Sequence, residues 1–307
     1  MISVVVCTRD RPAALARCLT ALARLDDVAY EVVVVDNAPS DDAAARVVDA
    51  TPFRYVREDR PGLDRARNRG AAEARYSLIA YTDDDVEAEP GWLSGIAAAF
   101  ADPGVAGVTG RVLAADLSTP AQRLFERYGN GMDKGETARL FRYDQLGAFG
   151  RLAVQAVGVG ANMAFRRAAL ETVGGFDPTL DVGTPAHGAG DLDLFHRLLR
   201  AGFILRYEPS ARVRHHHRRE MAELRRQLRD NGRSFGVYLL KRWREGRPAE
   251  RVSLAAFCLL RWGPWLTGRL AKGALGLHPL PLPLLWEELA GVLSAPRAWE
   301  ETRRIPI

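Results

Sequence analysis

Two nearly unbroken runs of β-branched residues, Ile2-Ser3-Val4-Val5-Val6-Cys7 and Glu31-Val32-Val33-Val34-Val35, leave this chain little choice of fold. A strand that is apolar at successive positions is covered on both faces, which is how strands of a helix-flanked parallel sheet read. The intervening stretches fit that reading. Pro12 to Arg24 places Leu15, Leu19 and Leu22 on one helical face, and residues 43–50 and 65–74 have helical character. Residues 53–56 and 77–81 supply a third and a fourth strand. The alternation predicts an α/β fold with a largely parallel sheet flanked by helices. Its regular half ends near Val108.

Beyond that point the pattern loosens. Residues 109–155 read as an irregular crossover, 157–165 as a strand broken by glycines, and 167–173 as a short helix closed by Gly174-Gly175. Residues 177–190 have the Gly, Pro and Asp content of a mobile loop. A helix over 191–201, a strand over 204–207, a further strand ending at Val213 and a long basic helix over 220–243 follow. The tail, 254–299, is apolar, with prolines that break any long amphipathic helix. These breaks divide the chain into 1–108, 109–218 and a C-terminal extension, 219–307.

Composition narrows the class. Apolar residues make up 47% and charged residues 26%, as in an ordinary globular protein. Three widely spaced cysteines form no CxxC pair, which argues against a disulfide framework or zinc site and for a reducing compartment. The N-terminus enters a strand directly, without a signal peptide, and no uncharged run approaches the ~20 residues that span a bilayer. The expected location is cytoplasmic, or peripheral at the inner face of a membrane. Residues 206–244 hold twelve Lys or Arg against four Asp or Glu, whereas the whole chain is only +5. Such a basic face suits phosphates, acidic lipid or nucleic acid, or is simply a solvated helix face.

The chemistry concentrates at Tyr81-Thr82-Asp83-Asp84-Asp85. Three adjacent carboxylates at a strand's carboxyl end stand where open α/β sheets bind ligands. They repel one another unless a cation offsets them, and Mg²⁺ or Mn²⁺ takes carboxylate and phosphate oxygens together. A solvated acidic turn is the alternative. The first strand ends in Cys7-Thr8-Arg9-Asp10-Arg11-Pro12, without the glycines of a dinucleotide fold.

Six segments in order resemble the family 2 glycosyltransferases, which have the GT-A fold: SVVVCTRDRP (3–12), VVVVDNAPSDD (32–42), RPGLDRARNRGAAEA (60–74), YTDDDVEAEPGWL (81–93), GVGANMAFRRAALETVGGFD (158–177) and GAGDLDLFHRLLRAG (188–202). The resemblance implies an inverting, metal-dependent, non-processive enzyme that moves one sugar from a nucleoside-diphospho-sugar to an acceptor hydroxyl. UDP or dTDP is expected over GDP. It places Thr8, Arg9, Asp36, Arg67, Asp83 and Asp84 on the nucleotide, and Gly160 and Asn162 at the donor sugar. Asp85 becomes the direct metal ligand, with Asp83 on ribose or metal-bound water. Asp191 falls on the catalytic-base position, with Asp193 next in line. His215 or His217, which share a strand face, completes the metal shell or touches the diphosphate; solvated or core histidines are the alternative. Asp36 and Asp191 can also be read as turn or capping residues. The family usually has Ser where Asp64 stands, a residue that can cap the next helix, and a Glu-Asp pair where this chain has Gly190-Asp191. The loop 177–190 is expected to close over the donor. The tail lies on a membrane or packs on the domain or a second subunit. A sugar-nucleotide nucleotidyltransferase lacks its Gly-rich basic first loop here. A nucleic-acid-binding protein would not need aligned carboxylates at three strand ends.

Overall fold

The computed structural model describes residues 1–128 and 131–305. Strand β1 (Ile2–Thr8), helix α1 (Pro12–Leu22), β2 (Tyr30–Asn37), α2 (Ala43–Asp49), β3 (Arg54–Glu58), α3 (Leu63–Glu73) and β4 (Leu78–Asp83) alternate as the sequence predicts. β1 pairs in parallel with β2 and β4, and β2 with β3. Alternate β1 side chains enter different cores. Val5 and Cys7 join Tyr81, Phe165 and Leu194 on one face. Ile2, Val4 and Val6 join Leu15, Leu19 and Trp92 on the other. Burial on both faces is why these runs lack polar alternation.

The second half adds β5 (Val86–Ala88), α4 (Trp92–Ala99), β6 (Val105–Ala114), α5 (Pro120–Arg127), β7 (Arg139–Phe141), β8 (Asn162–Arg166), α6 (Arg167–Val173), α7 (Gly190–Arg200) and β9 (Ile204–His215). The nine-stranded sheet runs β3-β2-β1-β4-β8-β6-β9-β5, with β7 also on β9. β8 is antiparallel to both β4 and β6, so the sheet is parallel through its first half and mixed beyond β4. The segment 109–155 is more ordered than expected, carrying the end of β6, α5 and β7. β9 joins what read as two strands. Its register on β6 slips from Gly110↔Glu208 to Arg111↔Arg212. Pro209 has no N–H for the ladder, and Glu208 accepts from the Ser210 backbone and hydroxyl instead.

The C-terminal part is helical: α8 (Met221–Glu245), α9 (Pro248–Phe257), a π-helical turn over Cys258–Trp262, α10 (Gly263–Ala274) and α11 (Leu282–Thr302). Here the expectation that prolines break long helices is corrected. Pro283 sits in the first turn of α11, where no intrahelical partner is lost, and Pro296 lies within that helix. Close packing on α8 holds α11 together. A Cβ at Gly291 would stand 1.9 Å from the Arg229 carbonyl oxygen, and one at Gly232 would stand 2.1 Å from that of Glu288. Among the described residues no helix is long and apolar enough to cross a membrane.

Candidate functional site

Sheet register sets the first row of the site. Thr8 pairs with Asp36 on β2, and Cys7 pairs with Asp83 on β4. The carboxyl ends of β2, β1 and β4 thus form one ledge, with Asp36 and Asp83 about 10 Å apart across two strand spacings. Asp36 is buried; its Oδ2 accepts from the Tyr55 hydroxyl at 2.9 Å, and its Oδ1 has no partner. Burial raises the Asp36 carboxyl above its usual range. Arg9 stands at the exposed rim, 3.9 Å from Asp10.

Behind the ledge the acidic run is not left to repel itself. Arg11, at the N-cap of α1, reaches Asp84 and Asp85, each at 2.6 Å. Asp84 also accepts from the Thr8 hydroxyl at 2.7 Å. Asp84 and Thr8 are therefore buried and committed to each other and to Arg11, and their side chains are not open to a nucleotide. Burial pushes Asp84 up to about 7. Burial acts on Asp85 too, but it is held below the usual carboxylate range. The permanently charged Arg11 is the partner that holds it there, since His215, pushed down to about 4 by burial, is neutral at pH 7.

Asp85 Oδ1 is buried without a hydrogen bond, 3.3 Å from His215 Nε2. His215 Nδ1 lies 2.9 Å from His217 Nδ1, and His217 Nε2 lies 2.6 Å from Glu126. When His217 donates to Glu126 and accepts at Nδ1, His215 donates from Nδ1 and turns a lone pair on Nε2 toward Asp85 Oδ1. Two acceptors facing each other suit a cation, and the chain to Glu126 is the kind of support that orients a metal-binding imidazole. Among the described residues no group of three or more His, Cys, Asp or Glu is placed to hold a metal ion by itself. A divalent cation that takes one or two carboxylates and completes its shell with phosphate oxygens and water fits this donor set.

The second row comes from β8 and α7. Asp191, in the first turn of α7, accepts from Gly160 N–H and from Leu192 N–H, both at 2.8 Å. Gly160 permits this approach; a Cβ there would stand 2.8 Å from Arg67 Nη2 and 3.2 Å from Asp191 Oδ2. Arg67 is buried, 3.0 Å from Asp64 and 3.6 Å from Asp83. Asp83, Asp85, Arg67, Gly160, Asp191 and His215 are thus gathered at one end of the sheet.

Further expectations are corrected. Asn162 does not line the pocket: it is fully buried, accepting from Trp92 Nε1 and donating to the carbonyls of Arg111 and Ala211. Asp193 is no alternative base. It is buried on the other side of α7, paired with Arg197 at 2.6 Å, Lys241 at 2.9 Å and Arg242 at 2.6 Å. Nor does Asp64 cap α3. Asp181 does, accepting from the amides of Leu63 at 2.5 Å and Asp64 at 2.8 Å. The loop carrying Asp181 is docked rather than loose, with Leu180 and Ala186 buried and Asp177 paired to Lys241.

Asp64 has a different place. Its unpartnered Oδ2 lies 1.7 Å from where a Cβ on Gly190 would stand. The two positions at which the chain departs from the family pattern therefore touch, and Asp64 fills space that a side chain at 190 would need. Gly190→Ala should destabilise the fold by about 1–3 kcal/mol, and Asp64→Ser should relieve most of that loss. Thermal unfolding of both single variants and the double variant checks it. Equal destabilisation in the two backgrounds would contradict the contact.

The carboxylate-lined ledge lies at the carboxyl ends of β2, β1 and β4, where open α/β sheets bind their ligands. Residues 3–174 match Glycosyl transferase family 2. The pre-mycofactocin glycosyltransferase of Mycobacterium tuberculosis (strain CDC 1551 / Oshkosh) is 31% identical over 229 residues, covering 72% of this chain and 44% of its own. The chain thus spans less than half the length of that relative. Among solved structures, a mannosyltransferase from Pyrobaculum calidifontis in complex with GDP-Man and Mn²⁺ has a TM-score of 0.66 at 19% identity, covering 98% of this chain and 87% of its own. TarS 1–349 of S. aureus, in complex with UDP-GlcNAc, has a TM-score of 0.57 at 14% identity, covering 99% and 91%. The chain belongs to glycosyl transferase family 2 and has the GT-A fold.

Sequence reasoning missed Arg11, Tyr55, Asp181 and Glu126. Arg11 alone left a signal: a cation beside the helix-opening Pro12, one turn after a strand whose neighbour ends in three carboxylates.

Proposed function

We propose that this enzyme transfers one sugar, with inversion, from a nucleoside-diphospho-sugar to an acceptor hydroxyl with the help of Mg²⁺ or Mn²⁺. The observation that carries the reading is that Asp83 and Asp191 face Arg67 at one end of the sheet, while Asp85, two residues on from Asp83, keeps its Oδ1 unpartnered beside His215. Residues 1–108 supply the donor side and 109–218 the acceptor side. Asp85, supported by His215, would hold the cation, and Asp83 would hold ribose or a water of its shell. A bound cation would offset the charge of the departing diphosphate. Arg67 lends a fixed positive charge to the same end of the sheet. Asp191 accepts the proton of the attacking hydroxyl. Its two backbone hydrogen bonds hold the carboxylate in place and leave further lone pairs for the substrate.

On the donor base, Asp36 has one oxygen without a hydrogen-bond partner, the other being engaged by Tyr55. That matches the single imide N–H of uracil or thymine, whereas guanine presents two adjacent donors. UDP or dTDP should therefore compete for the site better than GDP. The solved neighbours hold one nucleotide sugar of each kind, GDP-Man and UDP-GlcNAc, so family likeness leaves this choice to the pocket. The test is donor hydrolysis across nucleotide-sugars with Mg²⁺ or Mn²⁺. Metal-dependent release of UDP or dTDP supports the reading. Preference for GDP would overturn the base assignment, and no metal-dependent hydrolysis of any donor would overturn the reaction.

A further inference from the structure

The C-terminal helices carry an outward face that the glycosyltransferase chemistry does not use. On α10 and the π-helical turn before it, Leu260, Pro264, Thr267, Ala271 and Leu275 are exposed and follow one another at three- and four-residue steps. On α11, Leu282, Trp286, Ala290 and Leu293 repeat that spacing, also exposed. Such a step keeps residues on one face of a helix. The opposite faces point inward: Leu266 and Arg269 on α10, and Leu284, Leu285, Glu288 and Gly291 on α11, are buried. The two helices touch, since a Cβ on Gly273 would meet side chains of both Leu282 and Leu285. Their outward stripes therefore belong to one surface.

Two details show that this surface is built. Pro264 has no N–H, and Gly263 N–H reaches back five residues to Cys258 O, which gives the π-helical turn. That turn carries no buried residue. Leu259 and Leu260 stand outward on it, while the Trp262 ring packs on Phe235. Trp265, half exposed, is braced by Arg269 lying 4.3 Å over its ring, and Arg269 is held by Glu288 at 2.8 Å. Leu259, Leu260, Leu275, Leu277 and Leu293 are each over 70% exposed, far more apolar surface than scattered surface residues require.

Charge decides what covers it. Along the two stripes, from residue 251 to 296, the exposed charges are Arg251, Arg261 and Lys272; the exposed carboxylates of α11, Glu300 and Glu301, lie past Leu293, the last residue of its stripe. A second copy docked by two-fold symmetry would set this cationic surface against itself. An anionic bilayer offers the opposite charge, and Leu and Trp side chains enter its headgroup boundary while a short helix lies flat. We infer that the face formed by the π-helical turn, α10 and α11 docks on the surface of an anionic membrane, lying on it without crossing it.

Co-sedimentation of the full chain with vesicles of phosphatidylcholine, alone or mixed with phosphatidylglycerol, tests this. The protein should bind the anionic vesicles, more weakly as salt rises. The exposed pair Leu260→Gln/Trp286→Gln should lower that binding about tenfold or more. Arg261→Gln and Lys272→Gln should each lower it about fivefold, and only on anionic vesicles. Unchanged melting and donor binding in these variants shows that they are folded. Equal binding to both vesicle types, or wild-type binding by Leu260→Gln/Trp286→Gln, would overturn the proposal. So would absence of vesicle binding together with a dimer that Leu260→Gln/Trp286→Gln dissolves, which would assign the face to a second copy.

Discussion

Asp191→Asn should lower kcat by on the order of 10²-fold or more, the usual scale for loss of a general base. A sugar hydroxyl is a poor nucleophile until its proton leaves, and Asp191 is a partly exposed carboxylate at the active end of the sheet. The substitution is not silent for structure. Both Asp191 oxygens accept a backbone N–H, and the amide of Asn keeps only one acceptor, so about 1 kcal/mol of stability should go with it. That loss is too small to unfold a domain and leaves the Asp36 and Asp85 side of the pocket intact. Donor affinity should therefore hold while turnover falls. Initial rates and donor affinity for wild type and variant make the comparison. Near-normal turnover would remove Asp191 from the chemistry, and Asp193, locked to Arg197, Lys241 and Arg242, could not replace it.

That last point shows where sequence reading stops. Asp191 and Asp193 look interchangeable in Gly190-Asp191-Leu192-Asp193, yet two residues along a helix turn the side chain about 200°. One carboxylate meets Gly160 and the other enters the core against α8. The strands β1 to β4 and the ledge at Asp36 and Asp83 were legible because their signal is local: apolar runs, helical spacing, charge at a strand end. What was not legible depends on contacts distant in the chain. Asp181 reaches the first amides of α3 across 117 residues, and Asn162 reaches Trp92 across 70. No local pattern says that β8 runs antiparallel between β4 and β6. The prolines of the tail read as breaks because their compensation, the close approach of α8 at Gly232 and Gly291, lies on another helix.

Asp85→Ala should abolish the metal-dependent part of nucleoside-diphosphate binding. Asp85 Oδ1 is the open oxygen facing His215, and a divalent cation that keeps most of its shell as water and phosphate depends heavily on one such ligand. The fold should survive, because Arg11 keeps Asp84 at 2.6 Å as a partner. The sign of the metal-free term separates this claim from general damage. Without metal, removing Asp85 takes a negative charge away from the diphosphate, so the variant should bind in EDTA as well as wild type or better. With Mn²⁺, wild type should gain about tenfold or more in affinity and the variant almost nothing, in line with the 10–100-fold losses seen when metal sites are disturbed. Calorimetric titration of both proteins with UDP, in Mn²⁺ and in EDTA, gives the four affinities. A Mn²⁺-dependent gain of the same size in Asp85→Ala would place the metal elsewhere. Weakened binding in EDTA would mean that the substitution harmed the pocket rather than a metal ligand.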